Sequence, residues 1–227
     1  MDFRERGKGF EIMDDFNLSG KIMDQTLKEI DHINNWIGGK RYNLKILGKA
    51  VQSKSSFTIM DLGCGSGDLL KSFCKRMRRV GKKGKYIGVD ANPYIIEFAR
   101  KNCADYDEIE FRCENVLDPN FRTKGTDIVN CCLFLHHFKN HQILKLLGKM
   151  KSDSNTVIIN DLHRHPIAFH AIDVLTKMLS RSEMVKHDAK LSVARAFKKE
   201  DFSMFFETLS RPYKIRWKWA FRWIVVY

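Results

Sequence analysis

The strongest chemical signal in this 227-residue sequence is a glycine-rich segment that begins with a carboxylate. It reads Asp61-Leu62-Gly63-Cys64-Gly65-Ser66-Gly67 and follows a short apolar run, which predicts a turn between a buried strand and a helix. Glycines in such a turn let a ligand approach the backbone closely. Asp68 stands where a dinucleotide-binding loop has its third glycine, and Asp61 suits a cationic ligand better than a pyrophosphate. The segment therefore favours a small ligand that carries positive charge.

A second carboxylate, Asp90, ends the next apolar run along the chain. At that place a carboxylate can accept hydrogen bonds from both ribose hydroxyls of a nucleoside. Alternatively, Asp90 caps the helix that is predicted to begin at Pro93. The two roles are compatible.

Histidines and one aspartate follow two later apolar runs and are candidates for catalysis. His136 and His137 follow the first of these runs, whereas Asp161, His163 and His165 follow the second. Imidazole and carboxylate groups act as general bases when an acceptor must lose a proton. Packing or a solvated surface position explains the two adjacent histidines equally well.

An alternation of strands and helices would bring these residues together. Apolar runs predict strands at 57–62, 85–90, 109–113, 127–133 and 156–160, and helical periodicity predicts helices at 69–80, 93–101 and 142–150. This order is typical of βαβ units on a parallel sheet covered on both faces. Such sheets bind ligands at the carboxyl ends of their strands, where the candidate residues fall.

Further elements are predicted before and after this alternation. Helices are expected at 22–37 and 42–51, and the segment 166–210 is expected to be mostly helical. Strands rich in Trp, Ile, Val and Tyr are expected to form a closing pair at 213–220 and 221–227. One apolar face of the helical segment is predicted to consist of Ile167, Phe169, Ile172, Leu175, Met178 and Leu179.

Composition limits the function classes. A 44% hydrophobic fraction excludes global disorder, no apolar run reaches the ~18 residues of a membrane span, and the N-terminus does not resemble a secretory signal. The six cysteines form no C-x-x-C pair, so we expect reduced thiols in a cytoplasmic protein without a metal site. The net charge is +13, of which residues 162–227 carry +7. We interpret this excess as a solvated surface; the alternative is an anionic partner.

These motifs together make the sequence resemble the class I S-adenosylmethionine-dependent methyltransferases. The resemblance rests on four segments: Asp61-x-Gly63-x-Gly65-x-Gly67, Val89-Asp90, Glu114-Asn115-Val116 and Leu135-His136-His137-Phe138. The last segment is similar to a subgroup that methylates quinone precursors and other small phenolic or lipid-like molecules. The resemblance implies an α/β fold, a Rossmann-like seven-stranded mixed sheet with helices on both faces. Residues 57–227 would form the methyltransferase domain, and residues 1–56 and a helical insertion at about 162–212 would form a lid.

The resemblance also implies roles for individual residues. Asp61 would bind the methionine amino group of S-adenosylmethionine, Asp90 would hold its ribose, and Asn115 would contact its adenine, with an amide where the family often has a carboxylate. The implied cofactor-binding residues are Asp61, Gly63, Cys64, Gly65, Gly67, Asp90, Ala91, Asn92, Asn115, Val116, Cys132 and Leu133. The catalytic candidates are His136, His137, Asp161 and His163, and no metal ligand is expected.

The implied activity is transfer of a methyl group from S-adenosylmethionine to oxygen or carbon of a small aromatic or lipid-like acceptor. Two alternatives stay open. The basic charge favours a nucleic-acid methyltransferase, but Asn92-Pro93-Tyr94, which is similar to an amino-methylating motif, follows the second strand instead of the fourth. A catalytically inactive nucleoside-binding protein of the same fold is the other. Peripheral contact with a membrane is compatible with each of these functions.

Overall fold

A computed structural model describes residues 2–227 of the chain; Met1, the first residue of the predicted lid segment, lies outside this range. The strands are β1 (Ser56–Leu62), β2 (Lys83–Asp90), β3 (Ile109–Cys113), β4 (Thr126–Cys132), β5 (Ser154–Leu162), β6 (Lys214–Lys218) and β7 (Arg222–Val226). The helices are α1 (Lys21–Trp36), α2 (Gly39–Ala50), α3 (Asp68–Arg79), α4 (Pro93–Asn102), α5 (Asn140–Asp153), α6 (Pro166–Leu179), α7 (Glu183–Arg195) and α8 (Lys199–Thr208).

These strands form one mixed sheet in the order β3-β2-β1-β4-β5-β7-β6. The first five strands run parallel, and β7 lies antiparallel between β5 and β6. The chain leaves β1 towards β2 and β3 and then crosses back to place β4 on the other side of β1. The carboxyl ends of β1 and β4 therefore flank the switch in strand order, where sheets of this kind bind ligands. The predicted seven-stranded mixed sheet is confirmed.

Helices cover both faces of the sheet because each strand presents apolar side chains to both sides. On one face α2, α3 and α4 bury a cluster around Leu47, Phe73 and Tyr86. On the other face α5 and α8 bury a cluster around Leu146 and Phe205. This packing fixes the strand ends from which the candidate site is built.

The apolar residues predicted to form one face of α6 differ in their burial. Phe169, Ile172 and Leu175 are half-buried, whereas Ile167 and Met178 are 62% and 76% exposed. Ile167 and Met178 lie eleven residues apart, which places them on the same outer side of the helix. In residues 2–227, no helix has the length and apolar character needed to cross a membrane.

Candidate active site

A cavity of about 2190 Å³ opens at the carboxyl ends of β1, β2, β4 and β5. Its walls also include α1, the start of α2, α6, α7 and the extended segment before α1. Cavities that hold small molecules usually measure ~300–1,000 Å³. The space is therefore larger than one small ligand needs.

The glycine loop after β1 forms the floor of one half of this cavity. Gly63 and Gly65 line it and have positive φ angles of +69° and +51°. A side chain at Gly63 would collide with the ring of Phe134, whereas one at Gly65 would meet no atom within 4 Å. At Gly65 the backbone is thus open to a ligand, as the loop pattern predicts.

Gly67, which the resemblance places in the cofactor site, does not line the cavity. It precedes the first residue of α3 with a φ of +75°. A Cβ atom there would lie 2.7 Å from the ring of Phe111 and 3.0 Å from Sγ of Cys103. Packing of the loop against β3 and α4 therefore explains this glycine, and a ligand contact is not needed.

Two carboxylates, the buried Asp61 and the half-buried Asp90, face the loop from the strand ends. Asp61 Oδ1 accepts a hydrogen bond from the Asn130 side-chain amide at 2.6 Å, and burial raises the pKa of Asp61 to about 7. Asp90 accepts hydrogen bonds from the backbone N–H of Gly65 at 3.3 Å and of Asn92 at 3.1 Å. Burial also raises the pKa of Asp90. A cation bound near either group would favour its ionised form.

A third carboxylate, Asp31 of α1, is not among the residues predicted from the sequence. Its Oδ2 atom accepts a hydrogen bond from the Ser66 hydroxyl at 2.6 Å, and burial raises the pKa of Asp31 to about 6. Asp31 follows Leu27 by four residues, so it lies on the apolar side of α1. A carboxylate inside an apolar stripe is the signal that could have identified it.

The ends of β2 and β3 supply the remaining predicted cofactor residues on this side. Ala91, Asn92, Asn115 and Val116 all line the cavity, as does Cys64 of the loop. The Asn92 side chain, however, caps α4 by accepting hydrogen bonds from the first N–H groups of that helix. Only its backbone is left to contact a ligand.

The turn after β4 carries the other predicted residues. Cys132 and Leu133 line the cavity, and Leu133 has a φ of +53°, a conformation that costs free energy in a residue with a side chain. Its backbone N–H donates to the carbonyl of Asn160 at 2.8 Å. The backbone then forms a short 3₁₀ turn at Leu135–His137, which holds both histidines at the cavity.

His136 and Asp161 form a buried pair below this turn. His136 Nδ1 lies 2.7 Å from Asp161 Oδ1, and the other carboxylate oxygen accepts the backbone N–H of Leu135 at 2.9 Å. Burial alone would raise the pKa of Asp161, but the His136 imidazole and backbone N–H donors hold it below the ordinary value. Asp161 is fully buried and does not line the cavity, so it can orient His136 but not touch a ligand.

The segment before α1 adds two carboxylates that sequence reasoning missed. Glu11 Oε1 lies 3.7 Å from His136 Nε2, and Asp14 Oδ1 lies 2.6 Å from His137 Nδ1. Burial raises the pKa of Glu11 to about 6. Both acids lie far from the histidines in the chain; Asp14 and His137 are 123 residues apart. A local sequence pattern therefore cannot predict these contacts.

Arg195 at the end of α7 holds this acidic segment against the histidine turn. Its guanidinium donates to Asp14 Oδ2 at 2.6 Å and to the carbonyl of His136 at 3.1 Å. Ligand atoms of Glu11, His136 and His137 lie within 4.8 Å of one another, a spacing that could admit a metal ion. Because the Arg195 guanidinium is 3.6 Å from Glu11 Oε1, positive charge is already present, and we interpret the group as a proton network.

His163, the last catalytic candidate, lines the cavity but makes different contacts. Its Nδ1 atom accepts a hydrogen bond from the Trp217 indole N–H at 3.2 Å. Burial, together with the neighbouring His165, lowers the pKa of His163 to about 4, so its imidazole is neutral at pH 7. His165 caps α6 through the N–H of Ile167. The structure therefore groups His136 and His137 with acids, and keeps His163 apart from them.

Comparisons with known proteins concern mainly the central part of the chain. Residues 59–152 match the family model of a methyltransferase domain. The chain is 29% identical over 150 residues to a 2-phytyl-1,4-naphtoquinone methyltransferase of Trichormus variabilis, covering 63% of this chain and 64% of that protein. A protein of the same name from Nostoc punctiforme is 33% identical over 93 residues, which are 40% of this chain and 36% of the relative. The matched region thus spans less than two thirds of these curated relatives.

Solved structures show the same fold over more of the chain. The plantazolicin methyltransferase BpumL in complex with SAH superposes with a TM-score of 0.65 at 14% identity, covering 90% of this chain and 93% of that one. An O-methyltransferase family 2 protein from Planctomyces limnophilus in complex with apigenin gives a TM-score of 0.54 at 16% identity, covering 76% and 51%. At these identities the likeness concerns the fold.

Proposed function

Because the chain belongs to the class I S-adenosylmethionine-dependent methyltransferases, we propose that it transfers a methyl group from S-adenosylmethionine to a small aromatic or lipid-like acceptor. The transfer goes to oxygen or carbon of that acceptor. Free cysteine thiols support a cytoplasmic setting for the reaction.

The observation that carries this proposal is the set of carboxylates around the glycine loop, of which Asp61 is buried and Asp31 and Asp90 are half-buried. Asp31, Asp61 and Asp90 all have raised pKa values because burial disfavours their charge. A ligand with an ammonium and a sulfonium group would restore favourable electrostatics there, whereas a pyrophosphate would be repelled. The residues present therefore fit S-adenosylmethionine and disfavour a nicotinamide dinucleotide.

We assign the parts of the cofactor to residues along the cavity floor. Asp61 would bind the amino group, Gly63 and Gly65 would give room to the methionine part, and Asp90 would hold the ribose. Asn115 and Val116 would border the adenine. The site would be completed by Cys64, Ala91, the Asn92 backbone, Cys132 and Leu133. Gly67 would not contact the cofactor, because it packs against Phe111 and Cys103.

An aromatic acceptor is supported by the other half of the cavity. Phe10, Phe16, Trp36 and Trp219 line it and are 48–74% exposed, so aromatic surface is open to a ligand there. The cavity volume of about 2190 Å³ leaves space for an acceptor beside the cofactor. The relatives named as naphtoquinone methyltransferases and the neighbour in complex with apigenin also support an aromatic acceptor. The segment before α1 and helices α6 and α7 would form the lid over it.

When bound, S-adenosylmethionine supplies an electrophilic methyl group on a sulfonium. The chain's own contribution is alignment, exclusion of water and removal of a proton from a hydroxyl acceptor. His136 lines the cavity and is placed for the last task, because Asp161 fixes its Nδ1 side and its Nε2 atom lies 3.7 Å from Glu11 Oε1. His137 with Asp14 would orient the acceptor next to it. His163, which is neutral, is a weaker candidate for this step.

Transfer of a labelled methyl group tests the proposal. Purified protein would be incubated with methyl-tritiated S-adenosylmethionine and separate panels of naphthols, flavonoids, quinols and total RNA. We expect label in at least one aromatic small molecule and none in RNA. Label in RNA alone would favour a nucleic-acid methyltransferase, and cofactor binding without transfer to any panel would favour an inactive binding protein.

A further inference from the structure

Arg222, at the start of β7, is completely buried, yet most of its guanidinium has no hydrogen-bond partner among the described residues. Its Nη2 atom donates to the Asn34 side-chain oxygen at 3.2 Å. Within residues 2–227, neither Nε nor Nη1 makes a hydrogen bond. Burial of a charged group with unpaired donors is strongly unfavourable, because the group loses its water without gaining other acceptors. Such a group calls for a ligand that completes its hydrogen bonds.

The surrounding chain makes room for this guanidinium. A Cβ atom at Gly39, the first residue of α2, would collide with Cζ, Nη2 and Nε of Arg222. The Asn160 side-chain oxygen is likewise buried without a partner among the described residues. Asn160 lies opposite Cys132 in the β4–β5 pairing, two residues before Leu162, which pairs with Arg222. Cys132, Asn160 and Arg222 therefore share one face of the sheet.

This polar patch belongs to the wall of the cavity. Asn34, Gly39, Cys132 and Arg222 all line it, as does Gly63 of the glycine loop. Asp161 precedes Leu162, the residue that pairs with Arg222, but its carboxylate is held by His136 and by backbone N–H groups. The positive charge of Arg222 is thus left available to an anion from the cavity.

We propose that Arg222 and Asn34 form an oxyanion-binding subsite that holds a carboxylate of a molecule bound in the cavity. A guanidinium with free N–H groups matches a carboxylate in shape and charge better than any other side chain. Two molecules can bring this group, namely the amino-acid end of S-adenosylmethionine and an acceptor that carries a carboxylate. The inference rests on the proposed function for the identity of both molecules, whereas the unpaired guanidinium is a feature of the chain itself.

Two matched ligand pairs test the subsite by calorimetry. The first pair is S-adenosylhomocysteine and 5′-deoxy-5′-(3-aminopropylthio)adenosine, which keeps the amino group and lacks only the carboxylate. The second pair is 1-hydroxy-2-naphthoate and 1-naphthol, which lacks the carboxylate. In the unmodified protein we expect at least one carboxylated member to bind about tenfold more tightly or better than its match. Arg222→Gln should remove that advantage and leave the affinity of the matched ligand unchanged.

The ligand pair whose affinity ratio falls in Arg222→Gln identifies which molecule brings the carboxylate. Asn34→Asp is the second variant, because a carboxylate added at Asn34 would neutralise Arg222 and should cause the same loss without removing the arginine. Arg216→Gln on exposed β6 is the control and should change neither pair. If both pairs keep their ratios in a folded Arg222→Gln or Asn34→Asp protein, the subsite is refuted. Failure of S-adenosylhomocysteine to bind the unmodified protein would instead contradict the proposed function, and the naphthoate pair would still test the subsite.

Discussion

The carboxylates in the two halves of the cavity differ in whether they form ion pairs. Around the glycine loop, Asp31, Asp61 and Asp90 form no ion pair within residues 2–227, and burial raises the pKa of each. In the other half, Asp14 contacts both His137 and Arg195, and Asp161 contacts His136. These three carboxylates of the first half have no ion-pair partner among the described residues, although Asp68 beside them pairs with Lys40, whereas the acids of the second half contact histidines and an arginine.

We expect this difference to separate cofactor binding from proton transfer. A half whose carboxylates lack ion pairs gains most from a cationic ligand, which suits a sulfonium cofactor. A half with carboxylate–histidine pairs can accept and pass on protons while its total charge changes little. Changes in the first half should therefore alter cofactor affinity, and changes in the second should alter the methylation rate.

The largest expected effect concerns His136. His136→Gln should lower the rate of methyl transfer to a phenolic acceptor by about 10²–10⁴-fold, because the acceptor loses its base. The affinity for S-adenosylhomocysteine should not change. The residual rate should recover as pH rises towards the phenol pKa of ~10, where the acceptor ionises unaided.

His163→Gln is the matched control for this change, because His163 lines the same cavity but bonds to Trp217. Its rate should stay within a few-fold of the unmodified protein at every pH. Equal losses in both variants, in step with their thermal melts, would assign His136 a packing role.

A substitution at Gly65 tests whether the half of the cavity around the glycine loop binds the cofactor. Gly65→Val should weaken S-adenosylhomocysteine binding by more than about a hundredfold, since its side chain would enter space that the ligand needs. Gly81→Val is the matched control: Gly81 also has a positive φ, +68°, and a side chain there would meet no atom within 4 Å, but it lies outside the cavity. Calorimetry on the two folded variants separates backbone strain from ligand contact. Equal affinities would place the cofactor elsewhere.

Asp90 should have an intermediate effect. Asp90→Ala should weaken cofactor binding by about 1–3 kcal/mol through loss of charge-assisted hydrogen bonds to the ribose. Asp127→Ala, at the opposite end of the sheet in a surface pair with Lys54, should leave the affinity unchanged. An unaltered affinity in Asp90→Ala would show that the ribose lies elsewhere.

The smallest expected effect is the dependence of cofactor affinity on pH, which we attribute to Asp61. Its pKa of about 7 without ligand lies above the ordinary value of 3.8, so Asp61 favours the folded state at low pH and loses this contribution as pH rises through about 7. A bound ammonium would favour the ionised form. Cofactor affinity should therefore fall by about tenfold between pH 8 and pH 6, and Asp61→Asn should flatten this profile. An unchanged slope in Asp61→Asn would assign the titration to another group.

The same comparison explains what the sequence can predict. Asp61, Gly65 and Asp90 are identifiable because each belongs to a short motif at the end of a predicted strand. All seven strands are predictable as well, since apolar runs and strand–helix alternation are local signals.

The half of the cavity around the histidine turn depends on contacts between distant parts of the chain. Glu11 and Arg195 reach the histidine turn only through the folded arrangement of the first segment and α7. A glycine required by packing, as Gly67 is against Phe111, has the same appearance in sequence as one required by a ligand. In sequence, Arg222 is one more basic residue of the closing strand pair, and its burial depends on the sheet and on Gly39.

The most direct test of the central claim is calorimetric titration of the unmodified protein with S-adenosylhomocysteine and, separately, with NAD. If the unpaired carboxylates at the glycine loop serve a cofactor of the S-adenosylmethionine type, S-adenosylhomocysteine should bind at one site per chain and NAD should give no heat of binding. Saturable binding of NAD with no response to S-adenosylhomocysteine would contradict the account.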